Sequence, residues 1–116
     1  MENKNVPWQV KFGLSLCSAT SIDSTIPAEA RGVAVIYAAT PALEKIFLVV
    51  ESRSRTLRSL CTQRLQTAKL PAPSELTIAF QGAALTDDSP ATIRLACQQQ
   101  IVLAAELRRE LRPAMR

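Results

Sequence analysis

A run of cationic side chains with no acidic neighbour is the part of this sequence best suited to chemistry. Between residues 53 and 69 no Asp or Glu separates Arg53, Arg55, Arg58, Arg64 and Lys69. Guanidinium and ammonium groups neutralise phosphate oxygens, which is the sequence-independent part of nucleic-acid binding. The run therefore predicts a surface that binds either the phosphate backbone of a nucleic acid or an acidic protein partner.

The residue types that most hydrolytic enzymes need are missing. The chain contains no His, so neither a Ser-His-Asp nor a Cys-His arrangement can form, and a general base would have to be a carboxylate or a lysine. Its cysteines, Cys17, Cys61 and Cys97, form no Cys-x-x-Cys pair, which argues against zinc and favours reduced, buried thiols. The glycines form no phosphate-binding loop. We expect no metal and no cofactor.

Two acidic positions resemble parts of a site, but each also has a structural explanation. Asp87 and Asp88 are adjacent, yet they precede Ser89-Pro90, where capping of a helix N-terminus explains them. Glu51 stands close to Arg53 at the end of an apolar run, and a surface ion pair explains it as well as a functional site does.

The composition is typical of a folded intracellular protein. Of the 116 residues, 47% are hydrophobic and 21% are charged, which predicts one domain with its own core. The formal charge of +4 fits contact with nucleic acid or an acidic partner. Because no stretch is apolar enough to cross a bilayer and the first residues show no signal-peptide pattern, we expect a cytoplasmic protein without a membrane span.

The cationic run follows a predicted hairpin. Two short runs rich in β-branched and aromatic residues, 33–37 and 46–50, flank a connection that contains Pro41. They predict two antiparallel strands. Since neither run alternates between apolar and polar residues, both faces of these strands should be covered.

Further strands are predicted on either side of the hairpin. Loose alternation over residues 8–16, with Leu14 and Leu16 on the apolar side, predicts a first strand, and the apolar run 76–80 predicts a last one. Residues 18–30 are predicted to form a loop with a helical turn after Pro27.

Two amphipathic helices are predicted to cover this sheet. Apolar residues recur at helical spacing over about 55–69, where Ser54 or Thr56 can cap the start, and again after Ser89-Pro90. The predicted buried stripe of the second helix is Ile93, Cys97, Ile101, Ala104, Leu107 and Leu111. The fold class is therefore α+β, with a small, mainly antiparallel sheet of three to four strands packed against two main helices.

Arg64 breaks the pattern of the first of these helices. Counting 100° per residue from Leu57 places Arg64 near the middle of the apolar stripe, where an unpaired charge is costly. Two interpretations remain open. The side chain either extends to solvent along its aliphatic stem, or points into a polar pocket at the sheet edge, where it clamps a phosphate.

The hydrophobic frame resembles that of the GIY-YIG nuclease domain. The similar segments are Arg31-Gly32-Val33-Ala34-Val35-Ile36-Tyr37, then Phe47-Leu48-Val49-Val50-Glu51-Ser52, then a helix with leucines and arginines. The resemblance covers about residues 27–113. In that family two tyrosines, a helix arginine and a later glutamate act with one divalent metal ion to hydrolyse a phosphodiester.

Most of the family's diagnostic positions hold other residues here. The positions of its glycine, its two tyrosines and its second glycine are, respectively, Gly32, Ala34, Leu48 and Val50. The helix arginine is matched by Arg58 or Arg64, and the glutamate is replaced by Gln98. Because an amide is a poor ligand for a hard divalent cation, the resemblance implies a pseudoenzyme that lacks the metal site.

Three classes of function therefore remain open. The first is an inactive nuclease-like protein that binds nucleic-acid backbone, DNA in particular, through the cationic run. The second is a protein-binding inhibitor or adaptor with a basic face. The third is a metal-dependent endonuclease with a rearranged active site, which the missing tyrosines and glutamate make the least favoured of the three.

Overall fold

A four-stranded antiparallel sheet organises the molecule. A computed structural model describes residues 7–39, 44–53, 55–83 and 89–114. The strands are β1 (Ser15–Ser18), β2 (Arg31–Ala39), β3 (Glu44–Glu51) and β4 (Thr77–Ala83). They are hydrogen-bonded in the order β1-β4-β2-β3, so β1 and β3 are the edges of the sheet.

Two main helices cover the two faces of the sheet. They are α3 (Leu57–Thr67) and α4 (Pro90–Leu111), and two short helices precede them, α1 (Trp8–Lys11) and α2 (Ile22–Thr25). Alternate side chains of β2 enter opposite halves of the core. Ala34 packs in the cluster that contains the buried residues of α3, whereas Val35 packs with those of α4. This arrangement confirms the predicted α+β class.

The predicted hairpin is confirmed, with longer strands. β2 and β3 pair in antiparallel register, and a bulge at Ile36/Tyr37 shifts that register by one residue. Residues 33–37 are all buried. The absence of alternation in the sequence therefore reflects burial of β2 on both faces, as expected.

The predicted first strand is wrong at its N-terminal end. Residues 8–11 form α1, whose first turn begins after Pro7, and β1 starts only at Ser15. Tertiary contacts explain the difference, because the Trp8 ring packs edge-on against Tyr37 at 5.0 Å and its Nε1 donates to Glu44 Oε1 at 2.7 Å. A helical turn places the indole where it can make both contacts.

The expected faces of β1 and the expected turn near Pro27 also differ from the structure. β1 buries Cys17 and leaves Leu16 53% exposed. The helical turns precede Pro27, in α2 and a 3₁₀ turn before it, because Ile22 and Ile26 bury one side of this segment. After Pro27 there is a single turn, in which the Ala30 N–H donates to the Pro27 carbonyl at 3.1 Å.

Both main helices begin as the sequence indicates. Thr56 caps α3 by accepting the Ser59 N–H, and Ser89 caps α4 by accepting the Thr92 N–H. The alternative cap Ser54, the pair Asp87-Asp88 and Pro41 lie outside the described residues. Within the described ranges, no helix combines the length and the apolar character that a membrane span requires.

Of the predicted stripe of α4, Ala104 and Leu107 are buried, whereas Ile93, Cys97 and Leu111 are only partly buried, so the expected burial of the Cys97 thiol is not met. Ile101 is 44% exposed, and its neighbour Gln100 is buried with Ala104 and Leu107. The prediction for Ile101 is wrong by one residue. Neighbouring side chains on a helix point about 100° apart, and hydrogen bonds to the turn after β3 place the Gln100 side chain, not that of Ile101, on the buried side.

Gly32 is required by the close approach of β2 to β4. A Cβ atom at this position would lie 1.8 Å from the Gln81 carbonyl oxygen and 2.6 Å from the Gly82 Cα.

We expect Gly32→Ala to lower the free energy of unfolding by more than about 3 kcal/mol, because backbone atoms cannot move aside as a flexible side chain can. Urea denaturation followed by circular dichroism measures the change. Gly13→Ala is the comparison: at φ +68°, where a Cβ would meet only the flexible Gln81 side chain at 3.4 Å, it should cost about 1–2 kcal/mol. Equal costs would contradict the steric explanation.

Cys61 makes the fold sensitive to alkaline pH. Burial, with a smaller contribution from Cys17, raises the pKa of the Cys61 thiol from 9.0 to about 12. The stability that this provides is complete below the unfolded pKa and is lost as pH rises from about 9 towards about 12. We expect the free energy of unfolding to fall by up to about 1.4 kcal/mol per pH unit in that window. Urea titrations from about pH 8 to about pH 11 test this; an equally steep fall in Cys61→Ala would disprove the assignment.

Candidate nucleic-acid interface

The outer side of β3 carries a cavity surrounded by arginines, which we call the edge cavity. Its volume is about 220 Å³. It is lined by Leu48, Val49, Val50, Glu51, Arg53, Leu60, Arg64 and Arg108. Arg64 comes from α3 on one face of the sheet, Arg108 from α4 on the other, and Arg53 from the turn after β3. Three guanidinium groups thus approach one strand edge from different elements.

The cavity exists because β3 has no neighbouring strand on this side. Its outward carbonyl groups take donors from elsewhere: Arg108 Nη2 donates to the Val49 carbonyl at 3.0 Å, and the Ala114 N–H donates to the Ile46 carbonyl at 3.1 Å. These two carbonyl groups of the edge are thereby satisfied by α4 and the segment after it. Arg108 is fixed against the strand by the same hydrogen bond.

Glu51 is the acidic residue of the cavity. Its Oε1 accepts from Arg53 Nη2 at 3.3 Å and from Arg108 Nη1 at 3.4 Å. Its side chain is 12% exposed, and Oε2 is buried with no hydrogen-bond partner among the described residues. Because the lining holds one carboxylate and three arginines, the cavity keeps an excess of positive charge.

The backbone at Arg53 is held by a buried polar cluster at the end of β3. Arg53 adopts a left-handed conformation with φ 55°, which is uncommon outside glycine. Its N–H donates to Gln100 Oε1, and the Ser52 hydroxyl donates to the same oxygen at 3.4 Å. Ser52 Oγ also accepts the Gly32 N–H at 2.8 Å. The amide of Gln100 therefore fixes the turn that presents Arg53.

Arg64 lies where the helical periodicity places it, on the side of α3 that faces the sheet. Near the C-terminus of the helix this side passes the edge of β3, so the residue lines the edge cavity and is still exposed. Its side chain makes no hydrogen bond or ion pair with any residue in the described part of the chain. Elements of both sequence interpretations are thus present, because the guanidinium is solvated and also borders a polar cavity.

The other members of the cationic run lie elsewhere. Arg55 lies along the solvent side of α3 and donates to Gln63 Oε1 at 2.7 Å. Arg58 is directed towards α2, where Nε and Nη2 both donate to the Ile26 carbonyl, at 3.0 and 2.6 Å. Lys69 is exposed beyond the end of α3 and does not line the edge cavity. Of the five predicted binding residues, the cavity brings together Arg53 and Arg64.

The positions taken from the nuclease family are brought together only in part. Leu48, Val50 and Arg64 line the edge cavity, whereas Ala34 is buried in the core on the α3 side. Gln98 is exposed on α4, which covers the opposite face of the sheet. Gly32 has the steric role described above.

Searches against protein families, curated proteins and solved structures find no match to this chain. The relationship to the nuclease family stays a prediction from the sequence.

The lining of the cavity suits anion binding. Among the described residues, no group of three or more His, Cys, Asp or Glu side chains is arranged to hold a metal ion. Apart from the Glu51 carboxylate, the polar side chains that line the edge cavity are arginines, whose planar donors match the oxygens of a phosphate. Sequence reasoning missed Arg108 and Gln100, whose available signal was their position four residues after and four residues before Ala104 on the same helix.

Gln100 and Gln98 provide a matched pair for testing the polar cluster. Gln100→Leu leaves the Arg53 N–H and the Ser52 hydroxyl without their acceptor in a buried setting, so we expect a loss of about 1–3 kcal/mol in the free energy of unfolding. Gln98→Leu, on the exposed side of the same helix, should change it by less than about 0.5 kcal/mol. Thermal and urea denaturation measure both; equal effects would show that the hydrogen bonds of Gln100 contribute nothing.

Proposed function

We propose that this protein binds nucleic acid through the phosphate backbone, at the edge cavity of β3. The observation that supports this most directly is that Arg53, Arg64 and Arg108 line one cavity at a strand edge, where Arg53 and Arg108 share a single carboxylate. Charge-assisted hydrogen bonds from guanidinium to phosphate are among the strongest that proteins make, and Arg is the side chain that forms them in pairs.

The three arginines differ in how they would take part. Arg64 has no partner to lose among the described residues, so its donors are available to a phosphate. Arg108 is held by its bond to the Val49 carbonyl, which reduces the entropy lost on binding. Arg58 has no such role in this proposal, because two of its nitrogens already donate to the Ile26 carbonyl.

The proposed recognition is of the backbone and not of the bases. No aromatic side chain belongs to the lining of the edge cavity, all of which lies within the described residues. Stacking is the main way in which proteins hold unpaired bases, and base-edge contacts are the main source of sequence preference. The proposal therefore includes little preference for sequence.

The arginine contacts of Glu51, the only carboxylate in the lining of the edge cavity, favour binding over cleavage. Glu51 shares Oε1 between two arginines, and no second carboxylate lines the cavity with it. A hydrolytic site of the resembled type needs a carboxylate free to hold a divalent cation. The proposed protein is accordingly a non-catalytic binder.

Substitutions of Arg64 and Arg109 distinguish binding at the edge cavity from attraction by the net charge of the protein. Arg64→Gln removes one phosphate contact, so we expect the dissociation constant for a short DNA or RNA duplex to rise about fivefold or more, and the slope of log affinity against log salt to fall by about one. Arg109→Gln, an equal charge change on the exposed side of α4, should leave both nearly unchanged. Fluorescence anisotropy at several salt concentrations measures them.

Three outcomes would overturn the proposal, the first from this experiment and the others from the same assay repeated with poly-glutamate or with Mg²⁺. Equal losses in both variants would show that net charge, not the edge cavity, binds the nucleic acid. Preferential binding of poly-glutamate over duplex would identify an acidic protein as the partner. Cleavage of the duplex after addition of Mg²⁺, abolished by Arg64→Gln, would make the protein an endonuclease with a rearranged site.

A further inference from the structure

Glu51 has a geometry that a purely stabilising ion pair does not explain. An ion pair that stabilises a partly buried carboxylate needs partners for both oxygens, because desolvation of the charge is costly. Here both partners share Oε1, at 3.3 and 3.4 Å, and Oε2 is buried without a partner among the described residues. These contacts are long for charge-assisted hydrogen bonds, which are usually about 2.7–2.9 Å.

The two arginines that share Glu51 are the ones that the proposed phosphate site would use. Arg53 and Arg108 both direct a terminal nitrogen to the same carboxylate oxygen. Carboxylate and phosphate oxygens accept from guanidinium in the same manner. The Glu51 carboxylate thus stands where an oxygen of a bound phosphate would be expected to stand.

We infer that Glu51 is a built-in competitor for the phosphate: its carboxylate holds Arg53 and Arg108 in the free protein, and a phosphate of the nucleic-acid backbone takes them over on binding. This inference rests on the proposed function and deepens it. Under this inference Glu51 regulates the edge cavity, because only an anion that can displace its carboxylate is able to bind there.

The exchange requires only side-chain movement. The backbone of Arg53 is fixed through Gln100, whereas its side chain is 60% exposed and can turn outward. Arg108 keeps its Nη2 on the Val49 carbonyl while Nη1 changes partner. The fold therefore does not have to rearrange when the carboxylate is replaced.

A tethered competitor favours polyanions over single anions. Because Glu51 belongs to the same molecule, it competes at a high effective concentration that a free phosphate ion in solution does not match. A nucleic acid contacts Arg64 as well and presents several phosphates near one another, so it can displace the carboxylate. The ligand class is therefore a chain of phosphodiesters and not a mononucleotide or inorganic phosphate.

Glu51→Gln tests this inference, with Glu75→Gln as its control. The amide preserves the shape of the side chain and removes the charge, so duplex affinity should rise about fivefold, the factor for one unit charge about 4 Å away in water. Binding of inorganic phosphate, followed by NMR of the arginine Nε–H signals, should become detectable or tighter. Glu75→Gln makes the same charge change near the opposite edge of the sheet and should alter neither.

A measurement on the unaltered protein makes the test independent of how the variant folds. Addition of duplex should shift the ¹³C resonance of the Glu51 carboxylate, because its guanidinium partners leave it. A purely structural ion pair would give no such shift, and Glu51→Gln would then bind duplex as well as or more weakly than the parent protein. Either of these results would overturn the inference.

Failure of the proposed function gives a different pattern. If no duplex binds to the unaltered protein or to Glu51→Gln, yet phosphate binds more tightly to Glu51→Gln, the nucleic-acid proposal fails and the competitor role of Glu51 stands for a smaller anion. If neither duplex nor phosphate binds to either protein, both proposals fail.

Discussion

The enclosure of β2 is the constraint on which the rest of the structure depends. This strand pairs with β3 on one side and β4 on the other, and α3 and α4 cover its two faces. A strand enclosed in this way has no surface left for function. The proposed site therefore lies further out, at β3, whose outer edge is within reach of side chains from both helices. The edge cavity follows from that topology, since α3 supplies an arginine from one face and α4 another from the opposite face.

The sequence predicts those parts of the fold that local pattern determines. The hairpin is predictable because two neighbouring short runs rich in β-branched residues favour paired strands, and Arg64 is noticeable because it interrupts an apolar stripe. Residues 8–11 were not predictable, because a period of two over a few residues cannot reveal that an indole will pack on Tyr37. Gln100 and Arg108 were missed for a related reason. The rotation of α4 about its axis is decided by hydrogen bonds to the end of β3, which lies about fifty residues earlier in the chain.

At the end of β3, the same few residues stabilise the fold and form part of the proposed binding site. Ser52 connects the glycine of β2 to the amide of Gln100, and that amide fixes the uncommon backbone conformation of Arg53. Immediately before it, Glu51 carries a carboxylate that is only half satisfied. Conformational cost and incomplete hydrogen bonding often occur together at functional sites, where the surrounding structure holds them in place. The packed core beneath this turn supplies the stability that keeps the unfavourable backbone conformation and the unpaired carboxylate oxygen in place.

The bond from Arg108 to the Val49 carbonyl has a second consequence, for how the molecule behaves among its own copies. An uncovered strand edge is a template on which another chain can add a strand, and this is a common route to aggregation. Arg108 and the segment at Ala114 occupy carbonyl groups along β3, and the charge near them repels an identical edge. The side chain that would offer a cation to a phosphate under the proposed function therefore also protects the edge of the sheet, and a ligand that draws Arg108 fully away from the strand would have to cover that edge itself.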